Sequence, residues 1–426
     1  MKIKIRLLVS LIIMISFSCP AQAKIFKIAS YNLENLFDLV RNGTEYSEYI
    51  PNNPYGWNKQ NFNIKLNNTA KVIKELAPDI IALQEIESEK ALIGLKERLK
   101  EFDVDYPYFA IADSKPTAVK CALLSKFPIT RKKEMKIGNK SARNILMATV
   151  NIDNTHLILF INHWKSKQGP ESMRIAYAKA LKKEIEKITT STDFIILGDF
   201  NSNYNEYETF LTSSKLNNTS GITGINHILK TVKNRQFVNE SILMGENNSG
   251  YLYNLWLELD VNKRWSYDFL GENSSPDSII LGFALYDNKG ISYVDNSFDR
   301  FNPDYLFKGD EIYRWQRSER GNGKHLGEGY SDHLPVFAYF STEPFQAKVS
   351  SVSDNDTASS KKLSEEELVD VNNATESQLQ TIPGIGPSLA ERISRKRPYT
   401  NINDLLKVKG IGKKKLDNLR QYIIIK

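Results

Sequence analysis

Phe194-Ile195-Ile196-Leu197-Gly198-Asp199-Phe200-Asn201 is four large apolar residues, a glycine, then an acid, an aromatic and an amide. With Asp193 before it, the run Asp193–Phe200 reads as a strand apolar enough to be covered on both faces. A strand of this kind normally fades into turn residues. Here it ends in Asp199 and Asn201, and polar residues at strand ends are where a layered α/β protein builds a site.

The same construction recurs outward from this segment in both directions. Ile25–Tyr31 runs into Asn32 and Glu34, and Asp79–Gln84 runs into Glu85. His156–His163 ends in His163 with Lys165 just beyond; Asp277–Leu281 begins with Asp277; Leu334–Phe340 is preceded by Asp332 and His333. Cys121–Ser125 is a further strand. Helical spacing predicts helices at Lys65–Leu76, Glu89–Glu101 and Glu171–Ile188, where Ala176, Lys179/Ala180 and Lys183 keep the period. Alternation of the two patterns over residues 24–345 is the signature of one layered α/β domain, and its length suffices for a large core. Residues 203–265 read as a helix plus loops.

The 57 basic and 50 acidic residues give a net charge of +7. Its distribution matters more than its sum: residues 24–345 hold 40 basic and 40 acidic side chains, whereas 366–426 hold 11 and 7. The rest of the excess is Lys2, Lys4 and Arg6, followed by the apolar run LLVSLIIMISF and by Ala21-Gln22-Ala23. That order predicts a secretory signal peptide, residues 1–23, cut after Ala23, with the product in the periplasm or the medium. The run Leu7–Phe17 is shorter than the ~20 residues a membrane span needs, so no stable membrane association is expected. Cleavage takes away Cys19 and leaves Cys121 alone, so stability must come from a core and not from a disulfide. A monomer is expected.

Residues 346–364 lack aromatics, contain six serines, and read as a flexible linker with a reach of roughly 25 Å. The chain then repeats itself: Leu379–Gly386 (LQTIPGIG) and Leu405–Gly412 (LLKVKGIG) align at a shift of 26 residues. Each copy predicts helix, tight turn, helix, with Gly384 and Gly386 matching Gly410 and Gly412. Backbone N–H groups opening the second helix of such a unit hold a phosphate without reading bases. Five basic residues lie between Lys407 and Lys415, Lys413 and Lys414 among them.

Taken together, YNLENLFD, LQEIE, NHWKSK, GDFNSN, PDSIIL and SDHLPV, in this order, resemble the endonuclease/exonuclease/phosphatase superfamily, the deoxyribonuclease-I-like fold. NHWKSK is similar to the secreted bacterial nucleases of that superfamily more than to its AP-endonuclease branch. The resemblance covers most of 24–345 and implies a four-layer α-β-β-α sandwich with the motifs converging on one edge. Residues 365–426 are expected to form a small all-α domain, within which Val369–Ile423 resembles the paired helix-hairpin-helix module of bacterial DNA-uptake receptors.

Phosphodiester hydrolysis needs an activated water, neutralised phosphate charge and a stabilised leaving oxygen. His333 is the expected base because an ordinary histidine titrates near neutrality, and Asp277 is expected to orient it. Glu85, at the mouth of an apolar strand, is the expected ligand of Mg2+ (or Mn2+ or Ca2+), with Asn32 and Asp332 near it. His163 is expected to hold a phosphate oxygen or protonate the leaving group, Asp199 and Asn201 to position nucleophile and phosphate, and Lys165 and Arg143 to touch phosphate. Glu34 stands near a position where relatives often carry a second acidic ligand. His325, in a Gly-rich loop, reads as solvated; His156 and His227 match no motif. The function expected is that of a secreted, metal-dependent DNA endonuclease without strong sequence specificity. The alternatives are a phosphatase or phospholipase of the same superfamily, and a catalytically inactive DNA-binding or uptake protein.

Overall fold

The computed structural model describes residues 24–346 and 368–425, apart from 139–141, 211–212, 246–249, 270, 381, 383–384, 386, 409–410, 413–415, 417–418 and 421. The export segment and all of the linker except Gln346 lie outside the described residues. Among the described residues no helix is long and apolar enough to cross a membrane.

The principal elements, in order, are β1 (Ile25–Leu36), α1 (Lys59–Leu76), β2 (Ile80–Ile86), α2 (Glu89–Glu101), β3 (Tyr108–Ile111), β4 (Lys120–Ser125), β5 (Ile129–Met135), β6 (Ile145–Ile152), β7 (Thr155–His163), α3 (Glu171–Ile185) and β8 (Phe194–Asp199). They form two sheets. One runs Ser292–Tyr293, Val336–Ser341, β1, β2, β4, β3, with Asp299–Arg300 also on Val336–Ser341; the other runs Tyr253–Asn254, Asp277–Leu281, β8, β7, β6, β5.

Each sheet contains one parallel pair, β1 with β2 and β7 with β8. Parallel neighbours need a crossover, and α1 and α3 are those crossovers. Their apolar faces explain the layers. Along β8, Ile195 and Leu197 join the core between the sheets, while Phe194 and Ile196 pack with Tyr177, Ala178 and Leu181 of α3. Along β2, Ile80 and Ala82 join the same central core, while Ile81 and Leu83 pack with Leu66 and Ile73 of α1 and Leu92 and Leu95 of α2. The result is the four-layer α-β-β-α sandwich, with β2 and β8 buried on both faces. Each fully buried Leu or Ile in them contributes about 1.5–3 kcal/mol. Cys121 is buried in the central core as a free thiol.

The boundaries differ from expectation where side chains outweigh periodicity. Helix α1 begins at Lys59 and not Lys65, because the Asn58 side chain accepts the Asn61 N–H at 3.1 Å and caps it there. Helix α3 stops at Ile185 instead of Ile188, and β1 continues through Asn32 and Glu34 to Leu36. Residues 203–265 hold no substantial helix among those described. They form helical pieces of five residues or fewer (Glu206–Thr209, Gly224–Ile228 and Glu240–Met244) and a hairpin of Val232–Lys233 with Gln236–Phe237. Thr223 and Asn239 cap two of these pieces with their side chains, the preference of short polar residues that keeps helices here brief.

In the tail, Val369–Asp370 and Ile423–Ile424 pair in parallel and bring the ends of the unit together. The 26-residue repeat is visible in its packing and backbone. Leu379, Ile382, Ile385, Ala390 and Ile393 are buried, and so are their counterparts Leu405, Val408, Ile411, Leu416 and Leu419. Ile382 N–H donates to Leu379 O, and Ile385 N–H to Ile382 O; Val408 to Leu405 and Ile411 to Val408 repeat the pattern. The first copy has helices Glu376–Gln380 and Pro387–Arg395, while Ile402–Lys407 of the second is a 3-10 turn capped reciprocally by Asn401 and Asp404.

Candidate active site

Sheet topology alone assembles the site. The carboxyl ends of β1, β2, β7 and β8 carry Asn32 and Glu34, Glu85, His163 and Asp199, respectively. Their antiparallel neighbours begin where these strands end. Asp277 opens its strand directly opposite Asp199, and His333 lies just before Val336, which pairs with Ser30 of β1. The Asn32 side-chain amide donates to Asp199 Oδ2 at 3.0 Å, joining the two sheets at this edge.

Three of these ends turn through left-handed backbone: Glu34 (φ 48°), Glu85 (φ 65°) and Asn201 (φ 48°). The β1–β2 and β2–β4 registers break at the first two. Such bulges re-aim side chains that regular pleating would bury, and they concentrate near sites. Gly198 makes a different contribution. With φ 132° it lies so close to β7 that a Cβ would sit 2.1 Å from Asn162 O, so only glycine allows Asp199 to sit beside His163.

His333 Nδ1 is 2.7 Å from Asp277 Oδ2, and Ser266 Oγ donates to the same oxygen at 2.6 Å. Both residues are buried. Burial by itself would lower the pKa of His333, but the charge of Asp277 and its hydrogen bond, then Asp332 and Asp199, prevail and hold it well above the usual histidine value. This corrects the expectation of an imidazole titrating near neutrality: in this carboxylate field it keeps its proton. Tyr267 packs its ring 4.7 Å from that of His333.

Across the edge, His163 Nε2 lies 3.5 Å from Asp199 Oδ2 and 3.7 Å from Glu85 Oε1. Burial first, then Arg143, His333 and Lys165, push the His163 pKa well below the ordinary value. A neutral ring with Nε2 facing carboxylates carries its hydrogen there and can donate it to an anion. Holding a phosphate oxygen therefore suits His163 better than protonating a leaving group. Asp199 accepts from Asn201 N–H at 2.8 Å and from the Asn201 side chain at 3.1 Å; burial raises its pKa to about 7. Glu85 is also raised, by burial and then by Asp332. Arg143 and His333 act on it in the other direction, as does a hydrogen bond from Asn32, and the nearest ring nitrogen, that of His163, is neutral; a carboxylate so placed beside Asp332 suits a hard cation.

Glu34 is less available than expected. Its Oε1 is bonded by Arg314, at 2.9 Å from Nε and again from Nη2, and its Oε2 accepts Trp315 N–H at 2.9 Å. Arg314 Nη2 also lies 3.3 Å from Asp332 Oδ2. Burial raises Glu34 to about 7 despite this pairing. Gly329 (φ 86°) lets the chain before Asp332 approach Arg314 O so closely that a Cβ would fall 1.9 Å away. Buried Lys65 donates to Tyr330 O at 2.8 Å, and burial lowers its pKa to about 8. Arg314, Lys65 and Ser266 were not expected, because they come from stretches without strand-end patterning; a lone arginine between aromatics, Tyr313-Arg314-Trp315, was the only available hint.

Arg143 is committed to the backbone: Nε donates to His163 O at 3.3 Å and Nη2 to Trp164 O at 2.8 Å. It positions the His163 loop. Lys165 is half-buried beside Gly169. His325 is buried, contrary to the expectation of a solvated loop residue. Its ring lies 4.8 Å from Tyr49 and 5.0 Å from Trp57, Nδ1 accepts from Trp315 Nε1 at 2.9 Å, and Nε2 meets Glu48 O at 3.0 Å. Burial lowers its pKa to about 4. His156 and His227 are exposed. In the tail, Gly384, Gly386, Gly410, Lys413 and Lys414 lie outside the described residues; Gly412 is described, and its carbonyl accepts Leu416 N–H at 2.9 Å.

A model of the endonuclease/exonuclease/phosphatase family matches residues 27–236, and one of the helix-hairpin-helix motif matches residues 364–424. A deoxyribonuclease of Thioalkalivibrio sp. (strain K90mix) is 31% identical over 91 residues, 21% of this chain and 23% of that protein. ComE operon protein 1 of Bacillus subtilis (strain 168) is 41% identical over 63 residues, 14% of this chain and 31% of that protein. The chain thus spans about a quarter to a third of these curated relatives. Among solved structures, an endonuclease/exonuclease/phosphatase family protein from Bacteroides thetaiotaomicron gives a TM-score of 0.44 at 14% identity, covering 76% of this chain and 99% of that one.

Proposed function

We propose that this chain, which carries an endonuclease/exonuclease/phosphatase-family domain and a C-terminal helix-hairpin-helix motif, is a divalent-metal-dependent phosphodiesterase that cuts DNA without strong sequence preference. The observation that carries it is the His333–Asp277 pair, 2.7 Å apart, on the same edge as the carboxylate of Glu85 and the neutral imidazole of His163. A base with its orienting acid, a cation-seeking carboxylate and an anion-seeking donor together fit the hydrolysis of a phosphate ester.

Asp277 occupies His333 Nδ1, so Nε2 is the atom that takes the proton from the attacking water. His163 donates from Nε2 to a non-bridging phosphate oxygen, while Asp199 and Asn201, locked to each other and to Asn32, orient the phosphate and the nucleophile. Glu85, with Asn32 and Asp332 beside it, would hold Mg2+, Mn2+ or Ca2+, which would supply neutralising charge to the phosphate and to the departing oxygen. His333 would act as a base once the negative charge of Glu85 and Asp332, which favours its protonated form, is offset by the ion they would hold.

DNA as the polymer is supported by the helix-hairpin-helix motif and by the relative named as a deoxyribonuclease. The neutral 24–345 segment and the basic tail divide the labour: the first cuts and the second holds the backbone. The benefit is effective concentration across the linker. Export through residues 1–23 and action as a monomer complete the proposal. Cleavage of a labelled duplex by Glu85→Gln tests it: loss of metal-stimulated cleavage is expected, and undiminished stimulation would overturn the assignment.

A further inference from the structure

Away from the catalytic edge, three carboxylates meet where the flanks of the two sheets come together. Tyr253–Asn254 is the outermost strand of one sheet and Ser292–Tyr293 that of the other. Glu258 follows the first, Asp295 follows the second, and Glu240 opens the short helix Glu240–Met244. One ligand oxygen from each lies within 4.8 Å of the others. Tyr253 pairs with Leu281 and Tyr293 with Phe340, at the ends of those strands remote from Asp277 and His333.

Acidic groups gather on many surfaces without consequence, but here Glu240 and Glu258 are partly buried and Asp295 is buried. Asp295 is 3% exposed. Glu240 Oε1 and Glu258 Oε1 are buried without a hydrogen-bond partner, and neither residue forms an ion pair with a described residue. The nearby Arg264 guanidinium is turned to the carbonyls of Leu259 and Leu257, at 2.7 and 3.1 Å.

A second observation is independent of the carboxylates. Tyr286, 5% exposed, has its hydroxyl close to Glu240 yet buried and without a hydrogen bond of good geometry. Asp295 and Tyr286 both approach Glu240 closely enough to interact with it, yet Glu240 Oε1, Glu258 Oε1 and the Tyr286 hydroxyl are left as buried polar atoms that one shared cation would bond. Tyr293 has the opposite character. Its hydroxyl donates to Glu258 Oε2 at 2.5 Å and accepts Ser297 and Phe298 N–H groups at 3.0 and 3.1 Å, fixing the direction of that carboxylate as an outer group does for a metal ligand. Burial first, then repulsion from neighbouring carboxylates, raises Glu240 to about 7 and Glu258 to about 8, as expected of acids gathered without a cation.

The geometry points to a second, structural divalent-cation site, formed by Glu240, Glu258 and Asp295 with the Tyr286 hydroxyl as an additional oxygen donor, and suited to Ca2+. All donors are hard oxygens, with no nitrogen or sulfur, which selects Ca2+ over transition metals. The ion ties the outer strands of both sheets to the helix at Glu240, and its existence does not depend on the catalytic proposal.

The test is equilibrium dialysis of the full chain against Ca2+ alone in a Glu85→Gln background, so that the catalytic edge does not contribute, with Tb3+ luminescence excited through Tyr253, Tyr286 and Tyr293 as a local readout. Glu85→Gln is expected to bind about one Ca2+ per chain. Adding Glu258→Gln, which keeps the acceptor for Tyr293, should abolish both binding and sensitised emission; half-buried Glu240→Gln is the parallel variant should the first fail to fold. Ca2+ should raise the Tm of Glu85→Gln but not of the double variants, which in EDTA should be no less stable because like charges have been removed. No Ca2+ bound by Glu85→Gln, or binding and emission unchanged by the second substitution, would overturn the site.

Discussion

His333 Nδ1 stands 2.7 Å from Asp277 Oδ2, the oxygen that also accepts Ser266 Oγ at 2.6 Å. Both groups meet that one oxygen, which fixes it beside Nδ1, and the imidazole can present only Nε2 to a substrate. Asp277→Asn replaces this acceptor by a group that can turn its amide toward Nδ1 and enforce the wrong tautomer. The expected loss is about 10⁴ in kcat, by comparison with the equivalent change in a Ser-His-Asp triad, with little change in KM. Steady-state cleavage of a labelled duplex measures it; a fall of less than about tenfold would mean that Asp277 does not orient the base.

Gly198 makes the tightest backbone approach at the site. A methyl group there meets Asn162 O at 2.1 Å in a backbone region, φ 132°, that side chains rarely adopt. Gly198→Ala is therefore expected to cost about 3 kcal/mol or more in stability, and to separate β7 from β8 where His163 and Asp199 meet. Chemical denaturation gives the stability; a loss below about 1 kcal/mol would show that the strands part without strain.

His325 accepts from Trp315 Nε1 through Nδ1, so its hydrogen sits on Nε2 toward Glu48 O and the ring is neutral. Its folded pKa is lowered to about 4, against about 6.5 in an unfolded chain. Between these values the unfolded state binds the proton and the folded state does not. The stability contribution is complete above pH ~6.5 and is lost as the pH falls toward ~4, amounting to about 2 kcal/mol after allowance for solvent screening. Thermal melts from pH 7 to 4.5 should show a smaller decline for His325→Gln than for the unmodified chain; equal declines would place the pH sensitivity elsewhere.

Much of this was legible in the sequence for physical reasons that can be named. β8 and β2 are covered on both faces, so nearly every residue had to be apolar, and the polar residues that end them stood out. Helix Glu89–Glu101 has the expected bounds because Ser88 caps it, accepting Ala91 N–H at 3.0 Å. What was hidden depends on pairings between distant segments. Arg314 meets Glu34 across 280 positions from a stretch with no period. The burial of His325 needs Tyr49, Trp57 and Trp315, which come from three places in the chain, to close around a loop whose glycines suggested solvent. The bulges at Glu34 and Glu85 put ordinary acids into left-handed backbone, for which their residue type gives no signal. The pKa of His333 likewise follows from charges gathered by the fold.

Removal of residues 346–426 should weaken DNA binding and flatten its dependence on salt, because the excess basic charge lies in 366–426. For every phosphate that the shortened chain no longer neutralises, the slope of log K against log salt becomes shallower by about 0.9. Some cleavage of short duplexes should survive. Binding measured by fluorescence anisotropy at several salt concentrations decides this; an unchanged slope would assign DNA holding to the large domain.

The central claim is that the edge carrying Glu85, His163, Asp199, Asp277 and His333 hydrolyses DNA. Nicking of supercoiled plasmid by the purified chain, with Mg2+ and with EDTA and alongside His333→Ala, tests it most directly. Open circles followed by linear DNA should form with Mg2+ and be absent with EDTA or with His333→Ala, while the variant still retards the plasmid in a gel. Tight DNA binding without cleavage by the unmodified chain, or undiminished cleavage by His333→Ala, would contradict it.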